Sequence, residues 1–260
     1  MPGPCAPPAE LVFSGCSGNF ARMSLAENLA GIQQRIQAAC ARAGRDPASV
    51  TLLAVSKGQP PETVRAAAEL GLSLFGENKV QEGKAKMGMC PGHLRWHMIG
   101  HLQSNKCRDA VHGFSMIEGV DSLALAQEIH RCAEKQAKSM PILLEVNIAG
   151  EASKFGYKPE ALLADLDAIN ALPRLELHGL MTIAPWSADS ERARPIFRKL
   201  RELKERCEQQ MGVPLPVLSM GMSGDFEVAI EEGATIIRVG TSLFGARVRG
   251  LRVAAPEEGP

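Results

Sequence analysis

The fold is set by residues 50–60, Val-Thr-Leu-Leu-Ala-Val-Ser-Lys-Gly-Gln-Pro, a short apolar run that ends in a lysine and a turn. The run at 51–55 is rich in Leu and Val and predicts a buried strand, which Gly58 and Pro60 must end. Lys57 is therefore expected at a strand tip. An amine partly removed from water there has its neutral form favoured, and the neutral amine attacks aldehydes. Taken alone, the stretch also fits an ordinary surface lysine after a strand.

Outward from this unit, the chain alternates between apolar runs and helical patterns. Apolar residues at helical spacing between Leu25 and Ile36 predict a first helix up to Gly44, with Ser24 as N-cap and Glu27 at the capping-box position. Eight strands are predicted, at 50–55, 72–75, 95–99, 114–117, 142–147, 175–182, 215–219 and 235–241. The further helices are predicted at 61–70, 80–87, 123–138, 159–172, 190–211 and 226–232.

Eight strands alternating with helices predict a single parallel (β/α)8 barrel, because parallel neighbours need crossover helices and eight units close the sheet. An open doubly wound sheet is the alternative, but no G-x-G-x-x-G follows the first strand. Function in such barrels gathers at the carboxyl ends of the strands. Polar or small residues occupy those ends here: Lys57, Asn78, His101, Asp121, Asn147, Thr182, Ser219, Gly240 and Thr241.

Two segments near the end of the chain have the character of phosphate sites. Residues 215–225 form an apolar run that opens into a turn rich in Gly and Ser, and we expect Ser223 or Asp225 to cap the following helix. Residues 235–242 form a second strand that ends in the small residues Gly240 and Thr241. Phosphate is often held after strands seven and eight of such barrels.

Composition indicates one domain that works on small molecules. The chain has 260 residues, 45% of them hydrophobic, enough for one large core. Its formal net charge is zero, which gives no sign of a nucleic-acid or anionic-membrane partner. Seven cysteines without a C-x-x-C pair predict reduced thiols, most of them packing residues, in a cytoplasmic protein.

The two ends of the chain are set apart from the predicted domain at 24–248. Residues 1–23 are rich in Pro, Gly and Ser and lack the basic start of a secretory signal, so we expect a disordered leader. Met23 is an alternative natural start, because Ser24 is a good N-cap for the first helix. Residues 249–260 are expected to form a flexible tail, and no stretch has the length and apolarity of a membrane span.

A lysine at one strand end and phosphate donors across the barrel mouth are what pyridoxal 5′-phosphate requires, since its aldehyde and phosphate lie on opposite sides of its ring. Arg238 precedes Gly240 by two residues, so both face the same side of strand eight. We expect its guanidinium to meet the pyridine nitrogen while Gly240 and Thr241 hold the phosphate. A permanent cation there leaves the ring nitrogen unprotonated, which disfavours transaminase chemistry.

Six motifs stand in order along the chain: Leu53-Ala-Val-Ser-Lys57, Phe75-Gly-Glu-Asn78 with Val80-Gln-Glu82, Trp96-His-Met-Ile-Gly-His101-Leu-Gln103, Gly179-Leu-Met-Thr182, Leu218-Ser-Met-Gly-Met-Ser223, and Arg238-Val-Gly-Thr241 with Phe244-Gly245. Together they closely resemble the pyridoxal phosphate homeostasis proteins, over roughly residues 24–248. Any one of them alone is unspecific. Their shared order makes the resemblance specific.

The resemblance implies a barrel like the N-terminal domain of alanine racemase, with no established turnover, and the residues themselves predict no metal site. By that likeness Lys57 carries the cofactor as a Schiff base, Arg238 faces the ring nitrogen, and a further set binds the phosphate or lines the cofactor. The phosphate set is Ser219, Gly240 and Thr241, and the lining set is Asn78, Met220 and Ser223. The implied role is to bind and buffer pyridoxal phosphate and to hand it to apo-enzymes that depend on it. We expect a monomer or a weak homodimer.

The chain departs from the family pattern at Gly58-Gln59 and at Lys79, where the family more usually shows Thr-Lys and often Tyr. The missing second lysine puts in doubt any auxiliary aldehyde contact beside Lys57. It leaves the main linkage intact.

An amino-acid racemase or lyase is the main alternative. Alanine racemase uses a tyrosine from an added C-terminal domain as its second proton-transfer group, whereas fewer than twenty residues follow Thr241 here and Tyr157 is the one tyrosine. His101 and Tyr157 are the candidates for that group. A cofactor-free Schiff-base aldolase is a third class.

Two further pairs of residues have ordinary interpretations. His97 and His101 span a strand end, which disfavours a zinc pair on one helix face. Glu151 and Lys154 fit either a solvated ion pair or a contact at the cofactor's rim.

Overall fold

The computed structural model describes residues 24–151 and 154–245, where eight parallel strands close into one barrel in sequential order. The last strand pairs with the first, from Thr51 opposite Ile236 to Ala54 opposite Val239. The predicted (β/α)8 barrel is therefore confirmed. The predictions for the leader 1–23 and the tail 249–260 lie outside the described residues.

The strands are β1 (Thr51–Val55), β2 (Leu74–Glu77), β3 (Arg95–Met98), β4 (Met116–Val120), β5 (Met140–Glu145), β6 (Leu175–Met181), β7 (Val217–Ser219) and β8 (Ile236–Val239). The α-helices of the described part are α1 (Leu25–Arg42), α2 (Pro61–Glu69), α3 (Val80–Met87), α4 (Cys107–Gly113), α5 (Leu123–Lys135), α6 (Pro159–Asn170), α7 (Arg194–Met211), α8 (Phe226–Glu231) and α9 (Thr241–Phe244). Short 3-10 helices span Pro47–Ser49, Ser104–Lys106 and Ser190–Ala193.

The helix α1 precedes the barrel and packs on its last elements. Its predicted capping box is present, because the Glu27 amide donates to Ser24 Oγ at 3.2 Å and the Ser24 amide donates to Glu27 Oε2 at 2.7 Å. Asn28 Nδ2 donates to the carbonyl of Leu243 in α9 at 2.9 Å. The added helix thereby joins the start of the described chain to its end.

Side chains fill the barrel interior, as expected for eight strands. Apolar residues form two clusters there, Leu53, Val55, Leu74, Ile99 and Ile236 in one and Met116, Leu143 and Met181 in the other. Alternate strand residues such as Phe75 and Trp96 face the helices. Because side chains alternate, the polar residues His97, Glu118, Glu145, Ser219 and Arg238 share the inward face with the two clusters.

Several predicted bounds were wrong. β2 and β4 lie about two residues later than expected, because each continues through a Gly and a Glu that the apolar pattern excludes. Helix α4, between β3 and β4, was missed because its buried stripe is only Cys107, Ala110 and Val111. The predicted helix 190–211 is interrupted at its start, where a 3-10 turn precedes α7 with Pro195 in its first turn.

The cysteines in the described residues are unpaired. Cys40, Cys107, Cys132 and Cys207 are buried packing residues and Cys90 is partly buried, whereas Cys5 and Cys16 lie outside the described part. No helix within 24–151 or 154–245 has the length and apolarity needed to cross a membrane.

Candidate functional site

Lys57 lies immediately after β1, at the carboxyl-end mouth of the barrel. Its side chain is partly buried, between the fully buried Ser56 and the exposed Gly58. Gly58 has a φ of +70°, a left-handed conformation that favours glycine and turns the chain toward α2. The predicted position of the lysine at a strand tip is confirmed.

Four side chains form a hydrogen-bonded chain through the barrel interior, which we call the inner cluster: Arg238, Ser219, Glu118 and His97. Arg238 Nη1 donates to Ser219 Oγ at 2.7 Å, and Nη2 donates to the Thr182 carbonyl at 2.7 Å. Ser219 Oγ donates to Glu118 Oε2 at 2.5 Å. His97 Nδ1 lies 2.7 Å from Glu118 Oε1, so the cluster links β3 and β4 to β7 and β8.

The inner cluster keeps its charges because they compensate each other. Burial acts to raise the pKa of Glu118, but the His97 hydrogen bond and the charges of His97 and Arg238 outweigh it and hold the pKa below the usual range. Burial lowers the pKa of Arg238, and Glu118 opposes that shift. An arginine has five N–H donors, of which Arg238 uses two within the described residues. The other three N–H groups have no acceptor among the described residues.

The hydrogen bonds of Ser219 differ from those expected of a residue that donates to a phosphate. Its hydroxyl is fully buried, gives its one hydrogen to Glu118 and accepts from Arg238. While those bonds hold, the hydroxyl has no hydrogen left for a phosphate. Its phosphate contact remains a prediction.

The segments after β7 and β8 meet at one side of the mouth. Ser223 Oγ accepts from the Ser242 amide at 3.3 Å and so ties the two segments together. The amides of Ser223, Gly224, Gly240 and Thr241 donate to no acceptor among residues 24–151 and 154–245. Four unpaired amides in these two neighbouring turns form a suitable binding site for an anion.

The prediction that the side chain of Ser223 or Asp225 caps the helix after β7 was wrong. Asp225 is the N-cap of α8, but its side chain does not bond to that helix. Its Oδ1 instead accepts from the Met222 amide at 2.6 Å, which closes the turn, while Ser223 bonds to the next segment. These carboxylate and hydroxyl oxygens stabilise the loop rather than the helix.

The opposite half of the mouth contains a cavity of about 280 Å³. Among the lining residues, Glu145 is only 7% exposed and points inward from β5. Burial raises the pKa of Glu145 to about 7, although the charge of Arg238 opposes the shift. The cavity is lined by Asn78, Ile99, Gly100, His101, Glu145, Val146, Asn147, Lys154, Phe155 and Ile183.

An aromatic stack borders this cavity. The rings of His101 and Phe155 lie 3.7 Å apart and nearly parallel, at 8°. His101 Nδ1 is 2.9 Å from Asp121 Oδ2, so a carboxylate orients the imidazole. Lys154 also lines the cavity, and its ammonium pairs with Glu151 at 3.0 Å, both side chains being partly exposed.

The two candidates for a second proton-transfer group have different positions. His101 lies at the mouth, whereas the Tyr157 hydroxyl donates to Asp165 of α6 at 3.3 Å, outside the barrel. Burial raises the pKa of Tyr157 further above its usual range. His97 and His101 have separate carboxylate partners, Glu118 and Asp121. No group of three or more metal-ligating side chains occurs in the described part of the chain.

Sequence reasoning missed Glu118 and Glu145. Both stand in otherwise apolar strands, where a charge is costly to bury without a partner. A glutamate in such a run therefore signals a buried cation nearby, and Arg238 in the apolar run of β8 is the matching signal. Taken together, the two glutamates and Arg238 predict a polar cluster on the inward face of the barrel.

Comparison with known proteins finds related sequences over the whole barrel. The family described as alanine racemase, N-terminal domain, matches residues 28–248. The pyridoxal phosphate homeostasis protein of Aquifex aeolicus is 46% identical over 226 residues, covering 86% of this chain and 99% of the relative. That of Pseudomonas aeruginosa is 45% identical over 231 residues, covering 87% and 97%.

A solved structure with the same fold adds a ligand to the comparison. PipY of Synechococcus elongatus, determined with PLP bound, has a TM-score of 0.75 and 39% identity to this chain. The match covers 85% of this chain and all of PipY. The names of these relatives are not names of enzymes.

Proposed function

Since the chain belongs to the alanine racemase N-terminal domain family and, within it, to the pyridoxal phosphate homeostasis proteins, we propose that it holds pyridoxal 5′-phosphate as a Schiff base on Lys57. The observation that carries the proposal is the pairing of this strand-tip lysine with unpaired amides after β7 and β8 and with a buried arginine that has unused donors. When bound, the cofactor supplies an aldehyde that condenses with a lysine amine and releases one water.

The donors of the mouth fit the two ends of the cofactor. In the proposal the amides of Gly240 and Thr241 hold the phosphate together with Ser223, and the free N–H groups of Arg238 face the ring nitrogen. Ser219 contributes through Arg238, whose guanidinium it holds. Asn78 and Met220 line the cofactor's surroundings. Gly240 also allows the segment after β8 to lie close to β1. A Cβ at this position would lie only 3.2 Å from the Val55 carbonyl oxygen, so a larger residue would push the two segments apart.

The proposed role is intracellular vitamin B6 homeostasis without catalytic turnover. Arg238 beside the ring nitrogen leaves that nitrogen unprotonated, which makes the cofactor a poor electron sink. Tyr157, one of the two candidates for a second proton-transfer group, is directed away from the mouth. The protein then acts in the cytoplasm, as a monomer or weak homodimer, with apo-enzymes that need the cofactor as its partners.

The first experiment maps the lysine. The purified protein is titrated with pyridoxal 5′-phosphate, its Schiff-base absorbance is recorded, and borohydride reduction is followed by mass spectrometry. We expect the label on Lys57, its loss in Lys57→Ala, and its retention in the control variant Lys154→Ala. A label on Lys154, or none, contradicts the proposal.

A racemase or lyase is the second candidate function, and Glu145 is the observation that favours it. This carboxyl lies in the mouth cavity with a pKa near neutrality, the range that suits a general acid or base. The loaded protein is incubated with single L-amino acids in deuterated water. We expect no Cα exchange at turnover-like rates, and steady exchange that disappears in Glu145→Gln supports the enzyme instead.

A further inference from the structure

A second buried polar group lies on the outer face of the sheet, between the ends of β1 and β2 and helix α3. We call it the outer cluster: Ser56, Glu77, Glu82 and Lys86. Lys86 is fully buried, and its Nζ lies 2.6 Å from the Ser56 carbonyl oxygen, 2.7 Å from Glu77 Oε1 and 2.7 Å from Glu82 Oε1.

The bonding of Lys86 excludes it as an aldehyde acceptor. An ammonium has three N–H donors, and Lys86 uses all three on oxygen atoms. An ammonium bonded in this way has no lone pair with which to attack an aldehyde. Lys86 therefore serves another purpose than that of Lys57, although the two lysines lie at the same end of β1.

The outer cluster holds the backbone on both sides of Lys57. Ser56, the preceding residue, is bound twice, through its carbonyl to Lys86 and through its hydroxyl to Glu77 Oε1 at 2.6 Å. Gly58, the following residue, donates its amide to Glu82 Oε1 at 2.5 Å. The same oxygen accepts from Lys86, so one ammonium connects both anchors of the turn.

The electrostatics of the cluster make these anchors depend on Lys86. Burial raises the pKa of Glu77, and the charge and hydrogen bond of Lys86 oppose that shift. Glu77 Oε2 is buried and has no hydrogen-bond partner among the described residues. Removal of the ammonium thus leaves Glu77 without its compensating charge, and the oxygens that hold Ser56 and Gly58 lose their common partner.

We infer that Lys86 is a positioning residue for Lys57: through Ser56 and Glu82 it fixes the turn that directs the Lys57 amine into the mouth. The inference rests on the proposed function, because it concerns the approach of Lys57 to an aldehyde. It also gives a role to the motif residues Glu77 and Glu82, which lie outside the cofactor site.

The test compares two ligands that differ only at the reacting carbon. Pyridoxal 5′-phosphate needs Lys57 for its linkage, whereas pyridoxine 5′-phosphate has an alcohol in place of the aldehyde and binds without it. In Lys86→Met we expect Schiff-base formation to slow roughly tenfold or more, since displacement of a reacting group by about 1 Å can cost about 100-fold. Affinity for pyridoxine 5′-phosphate should stay within about threefold.

Two variants act on the anchors separately. Glu82→Ala removes the Gly58 anchor at a partly exposed side chain and should slow Schiff-base formation less than Lys86→Met. Glu82→Gln keeps an acceptor oxygen in the same position and serves as the matched control, with a rate near that of the wild type. If Lys86→Met fails to fold, the double variant Lys86→Met with Glu77→Gln also removes the buried charge of Glu77 and takes its place in the test. Glu82→Ala then gives an independent measurement of the rate of Schiff-base formation.

The outcomes separate this inference from the proposed function. A wild-type rate in both Lys86→Met and Glu82→Ala overturns the inference and leaves the proposed function standing. An equal loss of affinity for both ligands, with lower thermal stability, shows a purely structural role and also overturns it. A wild-type protein that reduction never labels on Lys57 removes the proposed function, and the inference with it.

Discussion

The two buried clusters at the mouth are built from the same kinds of groups but use them differently. Each has one central cation, Arg238 in the inner cluster and Lys86 in the outer cluster, balanced by Glu118 in the first and by Glu77 and Glu82 in the second. Lys86 donates all three of its N–H groups to protein oxygens, whereas Arg238 donates two of its five to the described residues. A cation whose donors are all bonded to the protein can only hold geometry, whereas the unbonded donors of Arg238 are what our proposal assigns to the ligand.

This difference follows from the faces of the sheet. The inner cluster lies inside the barrel, on the inward face of β3, β4, β7 and β8, while the outer cluster lies between β2 and α3. Burial of a charge is costly in both places, so both cations require carboxylates. Only the cation of the inner cluster keeps N–H groups without an acceptor among the described residues. We therefore expect loss of the cation to weaken ligand binding in the inner cluster but not in the outer cluster, and to lower the stability of the protein in both.

The largest expected effect is that of Arg238→Met in the inner cluster. It leaves Glu118 buried without its cation, which should lower the free energy of unfolding by about 3–5 kcal/mol. Binding of pyridoxine 5′-phosphate should weaken at least tenfold. Denaturant unfolding and ligand titration measure the two effects.

The control for this prediction is the double variant Arg238→Met with Glu118→Gln. Neutralising the carboxyl should restore most of the stability without restoring ligand affinity, which separates the two roles of the arginine. Recovery of affinity in the double variant would mean that Arg238 acts on the ligand only through the fold.

The second prediction concerns pH and the carboxyl of Glu145. Its pKa is raised from 4.5 to about 7 by burial, so the unfolded chain ionises first as the pH rises. The free energy of unfolding should therefore fall between pH 5 and pH 8, by about 2–3 kcal/mol from this group. In cofactor-free Glu145→Gln the fall should be smaller by that amount.

Thermal unfolding at pH 5 and pH 8 measures this linkage. The variant and the wild type should be close in stability at pH 5 and differ at pH 8, with the variant more stable. Equal pH dependence in both proteins would show that Glu145 ionises normally in the folded state and that the inner face tolerates its charge.

The smallest effect is expected at the rim, away from both clusters. Phe155→Ala removes the stack on His101, but Phe155 is 56% exposed, so the loss of stability should be below about 1 kcal/mol. Dissociation of the cofactor should become faster. Trp186→Ala is the matched control, since Trp186 is 88% exposed and makes no ring contact among the described residues.

The fold could be predicted because each β/α unit carries its own local signals. The capping box of α1 and the Pro at the start of α2 and α6 mark helix starts where the structure has them. Strand ends were less predictable, since β2 and β4 continue through Gly76-Glu77 and Glu118-Gly119. Such residues join a strand only when partners across the barrel or on a helix satisfy them.

The residues that we propose to contact the ligand could be predicted from the sequence, whereas the residues that support them could not. Lys57, Arg238 and Gly240 stand at strand ends, a position that sequence order reveals once the barrel is assumed. Lys86 sits in the last turn of α3, and its spacing suggests an exposed helix lysine. Its burial depends on Ser56, thirty positions earlier, and no local pattern records a contact at that separation.

The attachment of α1 to the final elements has a consequence for synthesis in the cell. Asn28 bonds to Leu243 across 215 positions, and Arg45 bonds to Ile230 across 185. At translation rates of about 5–20 residues per second, α1 leaves the ribosome roughly 10–40 s before these partners exist. Throughout that interval its apolar stripe, which includes Ile32 and Ile36, lacks the α8 and α9 residues that cover it in the folded protein. The barrel therefore cannot close until β8, the last of its eight strands, has been synthesised.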